Sequence, residues 1–139
     1  MKKVITAFVI LFLVSCASKQ PVTGNKALFE VMTVQNDGGA NIRFYEILTE
    51  QKEIAMLQGD ENLRNKISPS DMTNSNFIIL NMGEKPSAGY SLLVEDVTET
   101  TDKIIVTVRD KEPEGMAATV ISYPYTILKI NSKKPIEIK

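Results

Sequence analysis

Residues 76–95 confine this chain to β-structure more firmly than any other stretch. Asn76-Phe77-Ile78-Ile79-Leu80-Asn81-Met82 is a short apolar run of the length and composition of a buried strand, and Tyr90-Ser91-Leu92-Leu93-Val94-Glu95 begins a second one. Gly83-Glu84-Lys85-Pro86-Ser87-Ala88-Gly89 separates them. Gly83 and Gly89 can supply positive φ at either end, while Pro86 fixes its own φ and holds Lys85 extended. A rigid, shaped turn is expected, and composition alone favours a structural role for it, since any tight connection draws on such residues.

The flanking sequence extends this pattern. Leu28-Phe29-Glu30-Val31-Met32-Thr33-Val34 reads as a strand, Asn36-Asp37-Gly38-Gly39 as a hairpin turn, and Ile42-Arg43-Phe44-Tyr45-Glu46-Ile47-Leu48 as the returning strand. Thr49 is then expected to cap a short helix over residues 50–58, with Glu50 and Glu53 near its positive end and Gly59 at its stop. Asp60 can cap a further helical turn that puts Leu63 and Ile67 on one face, ended by Ser68-Pro69-Ser70-Asp71. In Lys103-Ile104-Ile105-Val106-Thr107-Val108-Arg109 one parity is Ile104, Val106 and Val108, so one face is buried and the other mostly wet. Residues 90–97 pair with it as a hairpin through Thr98-Glu99-Thr100-Thr101-Asp102. After the charged loop Asp110-Lys111-Glu112-Pro113-Glu114-Gly115 comes a last strand over residues 123–130, with Pro124 at its start or on an edge, and Ile136-Glu137-Ile138 adds a short final one. Such short, turn-separated strands with one short helix predict a small antiparallel β-sandwich or half-open barrel.

The N-terminus reads as an address. Met1-Lys2-Lys3 is followed by an almost wholly apolar run over residues 4–14, too short for a permanent membrane span, as in a signal peptide. Leu13-Val14-Ser15-Cys16 is similar to a bacterial lipobox, in which small residues precede a cysteine whose thiol accepts a diacylglycerol. Cys16 is the only cysteine, and acylation accounts for an unpaired thiol in an exported chain. Each buried methylene of such an anchor contributes about 0.8 kcal/mol, so several acyl chains hold durably. Three segments are thus expected: a signal peptide over residues 1–15, a polar tether over 16–26, and one β-rich domain over 27–139. Ala17 after the cysteine implies the outer membrane by the sorting rule of enteric bacteria. Loss of Lys2 and Lys3 would leave 14 basic against 17 acidic side chains, which argues against nucleic acid as a partner.

Familiar catalytic chemistry is missing. The chain has no histidine, which removes Ser-His-Asp and Cys-His arrangements and the usual zinc sites. No Ser-x-x-Lys, phosphate-cradling loop or dinucleotide fingerprint occurs, so neither a catalytic nor a metal site is assigned and no cofactor is expected. Paired carboxylates remain, but Glu95, Asp96, Asp110, Glu112 and Glu114 fall on wet strand faces or in loops, where charge usually serves solvation. What the topology offers instead is a surface. If residues 90–97 and 103–109 form an antiparallel hairpin, the loops over 85–89 and 111–115 meet at one end, and Ser122-Tyr123-Pro124-Tyr125 can start from the same rim. Tyrosines, prolines and Met116 would gather there, as in protein contact surfaces; Tyr123 and Tyr125 as caps on the core is the equally common alternative.

Two resemblances sharpen that expectation. Gly83-Glu84-Lys85-Pro86-Ser87-Ala88-Gly89-Tyr90, a Val-containing hairpin, the Pro113-Glu114-Gly115 loop and Tyr123-Pro124-Tyr125-Thr126-Ile127-Leu128-Lys129-Ile130 resemble the C-terminal domain of the protease complex subunit PrcB, over residues 71–139. The resemblance implies a small lipoprotein of the bacterial envelope, not itself an enzyme, that binds and stabilises an exported protease or helps it mature. Lys85, Pro86, Gly89, Tyr90, Tyr123, Pro124 and Tyr125 are the matching motif positions and the candidate protein-binding residues. Pro86-Ser87-Ala88-Gly89-Tyr90 is also similar to a loop of chagasin-like cysteine protease inhibitors, which are β-sandwiches too; a structural envelope module without a defined ligand is the third reading.

Overall fold

The computed structural model describes residues 27–139; the signal peptide, Cys16 and the tether expected before them lie outside the described residues. Seven strands form two sheets. β1 (Phe29–Gln35), β6 (Tyr125–Ile130), β3 (Asn76–Met82) and β2 (Arg43–Leu48) make a four-stranded antiparallel sheet in the order β1-β6-β3-β2. β4 (Ser91–Glu99), β5 (Ile104–Lys111) and β7 (Ile136–Ile138) make a three-stranded sheet in that order. The sheets stack as a sandwich and do not close into a barrel. Among the described residues no helix is long and apolar enough to cross a membrane.

Two cores account for the sequence pattern. Between the sheets lie Ile78, Leu80, Met82, Leu92, Ile104, Val106, Leu128 and Ile130; on the outer face of the larger sheet, Phe77 and Ile127 pack with Ile54, Leu57, Leu63 and Ile67 from the helical segment. β3 is therefore covered on both faces, which is why residues 76–82 are apolar without strict alternation. On β5, Ile104 and Val106 are buried and their neighbours wetter, as their parity predicts.

Several expectations are corrected. β1 and β2 do not pair: β6 and β3 sit between them, and both become sheet edges. The hairpin chemistry of Asn36-Asp37-Gly38-Gly39 is real, but its groups are bound elsewhere, since Asp37 accepts a hydrogen bond from the Tyr123 N–H at 3.0 Å and the Gly39 N–H donates to the Tyr123 carbonyl at 2.8 Å. Residues 83–90 do separate two strands as expected, and they carry the chain from β3 in one sheet to β4 in the other. The sandwich is not wholly antiparallel. β6 runs away from the 83–90 loop, the chain turns back over residues 131–135, and β7 must then run parallel to β5, pairing Ile104 with Ile136 and Val106 with Ile138.

There are also two short α-helices where one was expected. α1 (Gln51–Met56) is capped by Glu50 and not Thr49, the Glu53 carboxylate accepting from the N–H groups of both at 3.1 Å. Asp60 caps the next turn and Leu63 and Ile67 are both buried. Ser68-Pro69-Ser70-Asp71 does not stop a helix but starts α2 (Pro69–Asn74): Ser68 is its N-cap, Pro69 its first residue, and Asp71 closes a capping box onto Ser68. The β4–β5 hairpin and the start of β6 just after Pro124 agree with the sequence reading.

Candidate protein-contact rim

β3 ends, β4 starts, β5 ends and β6 starts at the same end of the sandwich, so the connections over 83–90 and 112–124 meet there. They are fastened by direct bonds. Lys85 and Ser122 exchange a pair of backbone hydrogen bonds at 2.8 and 3.0 Å, the Ala88 N–H donates to the Ala118 carbonyl at 3.1 Å, and the Ser122 hydroxyl donates to the Ser87 carbonyl at 2.8 Å. The Met82 N–H donates to the Pro124 carbonyl at 3.0 Å. Residues 83–90 and 118–124 thus form one short irregular ribbon.

The two glycines of the motif are demanded by close approach. A Cβ on Gly83, at φ +75°, would stand 2.8 Å from the Arg43 nitrogen; one on Gly89, at φ +94°, would stand 2.7 Å from Pro113 Cβ. Gly89 therefore lets the 111–115 loop lie against the 83–90 turn. Between them is an open groove of about 320 Å³ lined by Ala88, Gly89, Pro113, Met116, Ala117 and Ala118, with Lys111, Glu112 and Glu114 around it.

The seven candidate binding residues do not all face solvent. Pro86 and Gly89 are exposed and Lys85, Tyr90 and Tyr123 half-buried, the Lys85 ammonium standing 5.4 Å from the centre of the Tyr90 ring. The Tyr123 hydroxyl donates to Glu84 at 3.1 Å, and that bond to a carboxylate pushes its pKa up. Pro124 is buried, standing just before β6, a central strand covered on both sides. Tyr125 turns to the helical layer, where its hydroxyl donates to Asp60 at 2.9 Å; burial first and that carboxylate second raise its pKa.

Met116, expected at this end, is joined there by residues that the sequence reading did not single out. Met116, Val120 and Ile121 are among the most exposed large apolar side chains, with Met116 wholly in solvent. Met116-Ala117-Ala118-Thr119-Val120-Ile121 is six residues without a charge in a segment that joins no sheet, the one signal that could have marked it. Asn81, read as part of an apolar strand, is a buried clamp: its amide donates to the carbonyls of Ala40 and Ile42 at 2.9 and 2.6 Å, and its Oδ1 accepts from the Ala40 N–H at 3.0 Å. It brings the 36–42 turn into the rim. Arg43 crosses the sheets to Asp110 with two hydrogen bonds at 2.7 and 2.9 Å, which hold that carboxyl below its ordinary range.

Residues 76–131 match the family model described as PrcB C-terminal, in agreement with the resemblance drawn from the motifs. The matched stretch runs from the start of β3 to just past β6 and holds the whole rim except the 36–42 turn. The chain is also 38% identical over 66 residues to an uncharacterized protein of Methanocaldococcus jannaschii, a match covering 48% of this chain and 41% of that protein. The chain thus spans under half the length of that relative. No solved structure matches it.

Proposed function

We propose, from the PrcB C-terminal character of residues 76–131, that this chain is a non-catalytic envelope protein, lipid-anchored through Cys16, whose rim binds an exported protease and stabilises it or helps it mature. The family match carries the association with a protease; the rim supplies a physical means. Exposed Met116, Val120 and Ile121 stand beside a groove between loops already tied to each other, with Lys85, Lys111, Glu112 and Glu114 around them. An apolar centre with a charged margin suits a protein contact, and loops ordered before binding lose little freedom when it forms. Glu112 and Glu114 are exposed, and the absence of histidine leaves no ordinary proton shuttle, in keeping with a binding role. The family match supports an envelope location, and the lipobox-like Leu13-Val14-Ser15-Cys16 supports attachment through Cys16.

The test is capture from detergent-solubilised envelope by the wild-type protein and by a Lys85→Glu/Tyr90→Ala double variant. The reading expects an exported protease with the first and not with the second; no partner, or the same set with both, overturns it. Labelling with radioactive palmitate should mark the wild type and not Cys16→Ala. Tight inhibition of papain-type enzymes without stable capture would favour the chagasin-like alternative.

A further inference from the structure

The N-terminal segment and the rim meet the domain at opposite ends of the same strands. β1 starts at Phe29, paired with Ile130, and ends at Gln35, paired with Tyr125, so the chain joins at the far end of β6 from the rim. That junction is tied down. The Asn131 side-chain amide donates to the Ala27 carbonyl at 2.6 Å, its backbone N–H donates to the Leu28 carbonyl at 2.8 Å, and its Oδ1 accepts from the buried Ser75 hydroxyl at 3.2 Å. β6, six residues long, separates this point from the rim by about 20 Å at ~3.3 Å per residue.

We infer that Asn131 clips the N-terminal segment to the pole remote from the rim, so that an anchor at Cys16 turns the rim away from the lipid and toward a partner whose bound part is a water-facing folded domain. The inference rests on the anchoring proposed above. The ten residues 17–26 reach at most about 35 Å when fully extended. Bringing the rim to the lipid lifts the clipped pole by at least the strand length, more than half of that reach, and confines the connection; the rim-outward arrangement leaves it free.

Cys16 is the chain's only cysteine, so in the acylated protein one engineered thiol is the only thiol. Full-length acylated protein in phosphatidylethanolamine/phosphatidylglycerol vesicles carrying a headgroup-linked acceptor dye would be donor-labelled at Thr101→Cys, in the β4–β5 turn, or at Glu114→Cys, on the rim. Energy transfer to the lipid is expected to be several-fold greater from position 101, and Asn131→Ala, checked for folding by circular dichroism, should narrow the gap. Flotation with the vesicles followed by equal transfer, or more transfer from position 114, overturns the orientation and leaves the anchor standing. An unchanged gap in Asn131→Ala overturns the clip, and failure to float overturns anchor and orientation together.

Discussion

Replacing Lys129 by methionine tests the electrostatics of the helix-side core. Lys129 is only 5% exposed, its ammonium 3.5 Å from Asp71, which is 4% exposed, and 2.9 Å from Glu30 on the edge strand. Burial pulls the lysine's pKa down, but the hydrogen bond to Glu30 and the charges of Asp71 and Glu30 outweigh it, and the net direction is up. A raised lysine contributes stability that is complete below its unfolded value of about 10.4 and is lost only as pH rises through the higher folded one, so the pair is intact at neutral pH. Removing one partner of a buried pair costs about 3–5 kcal/mol. Asp71 keeps the Ser68 N–H and hydroxyl, at 2.9 and 2.7 Å, so the lower end, about 3 kcal/mol, is expected. With a urea dependence of about 2 kcal/mol per molar, the midpoint should fall by about 1.5 M, followed by circular dichroism. Lys129→Met/Asp71→Asn should recover at least half of that, and Glu30→Gln alone should cost under about 1 kcal/mol because Glu30 is exposed. A fall below about 0.5 M for Lys129→Met, or no recovery in the double variant, refutes the reasoning.

Three further outcomes are expected. Gly89→Ala places a Cβ against Pro113 at positive φ; it should cost about 1–3 kcal/mol in thermal unfolding and weaken partner capture by displacing the 111–115 loop. Asn81→Ala leaves the Ala40 N–H and the carbonyls of Ala40 and Ile42 without their partner; about 3 kcal/mol should be lost, with faster amide hydrogen exchange at Ala40. The Arg43 guanidinium depresses the Asp110 pKa, so this pair adds stability above the ordinary aspartate value and loses it as pH falls through the depressed one. Both side chains are over a third exposed, so Asp110→Asn should cost under about 1 kcal/mol at pH 7, and the difference from wild type should vanish in acid unfolding.

What was legible in the sequence was local. The apolar run at 76–82, the alternation of Ile104, Val106 and Val108, and the glycines bracketing Pro86 each record their own surroundings, and each predicted its element. Partner choice was not legible, because pairing is decided by residues far along the chain. The turn at Asn36-Asp37-Gly38-Gly39 has the same composition whether it closes a hairpin or, as here, binds Tyr123, and only the insertion of β6 beside β1 distinguishes the two. Ser68-Pro69-Ser70-Asp71 reads as a break for its proline, yet Ser at the cap, Pro first and Asp third are the residues that start a helix. That the 83–90 and 111–115 loops meet is legible from strand direction alone, since a β4–β5 hairpin must return its chain to the 83–90 turn. Which side chains face out was legible only in part: Tyr125 lies against the helix-side core, the alternative its motif had left open, Pro124 is buried beside the central strand β6, and Val120 and Ile121 are exposed in an uncharged run without strand or helix periodicity.

Site-specific photo-crosslinking in intact cells tests the rim most directly. A photoreactive amino acid at Met116, fully exposed beside the groove, should join this protein to an exported protease, while the same probe at Glu95, on the edge strand β4 of the smaller sheet, should not. Adducts to that protease from position 95 and none from position 116 would contradict the assignment of the rim as the contact surface.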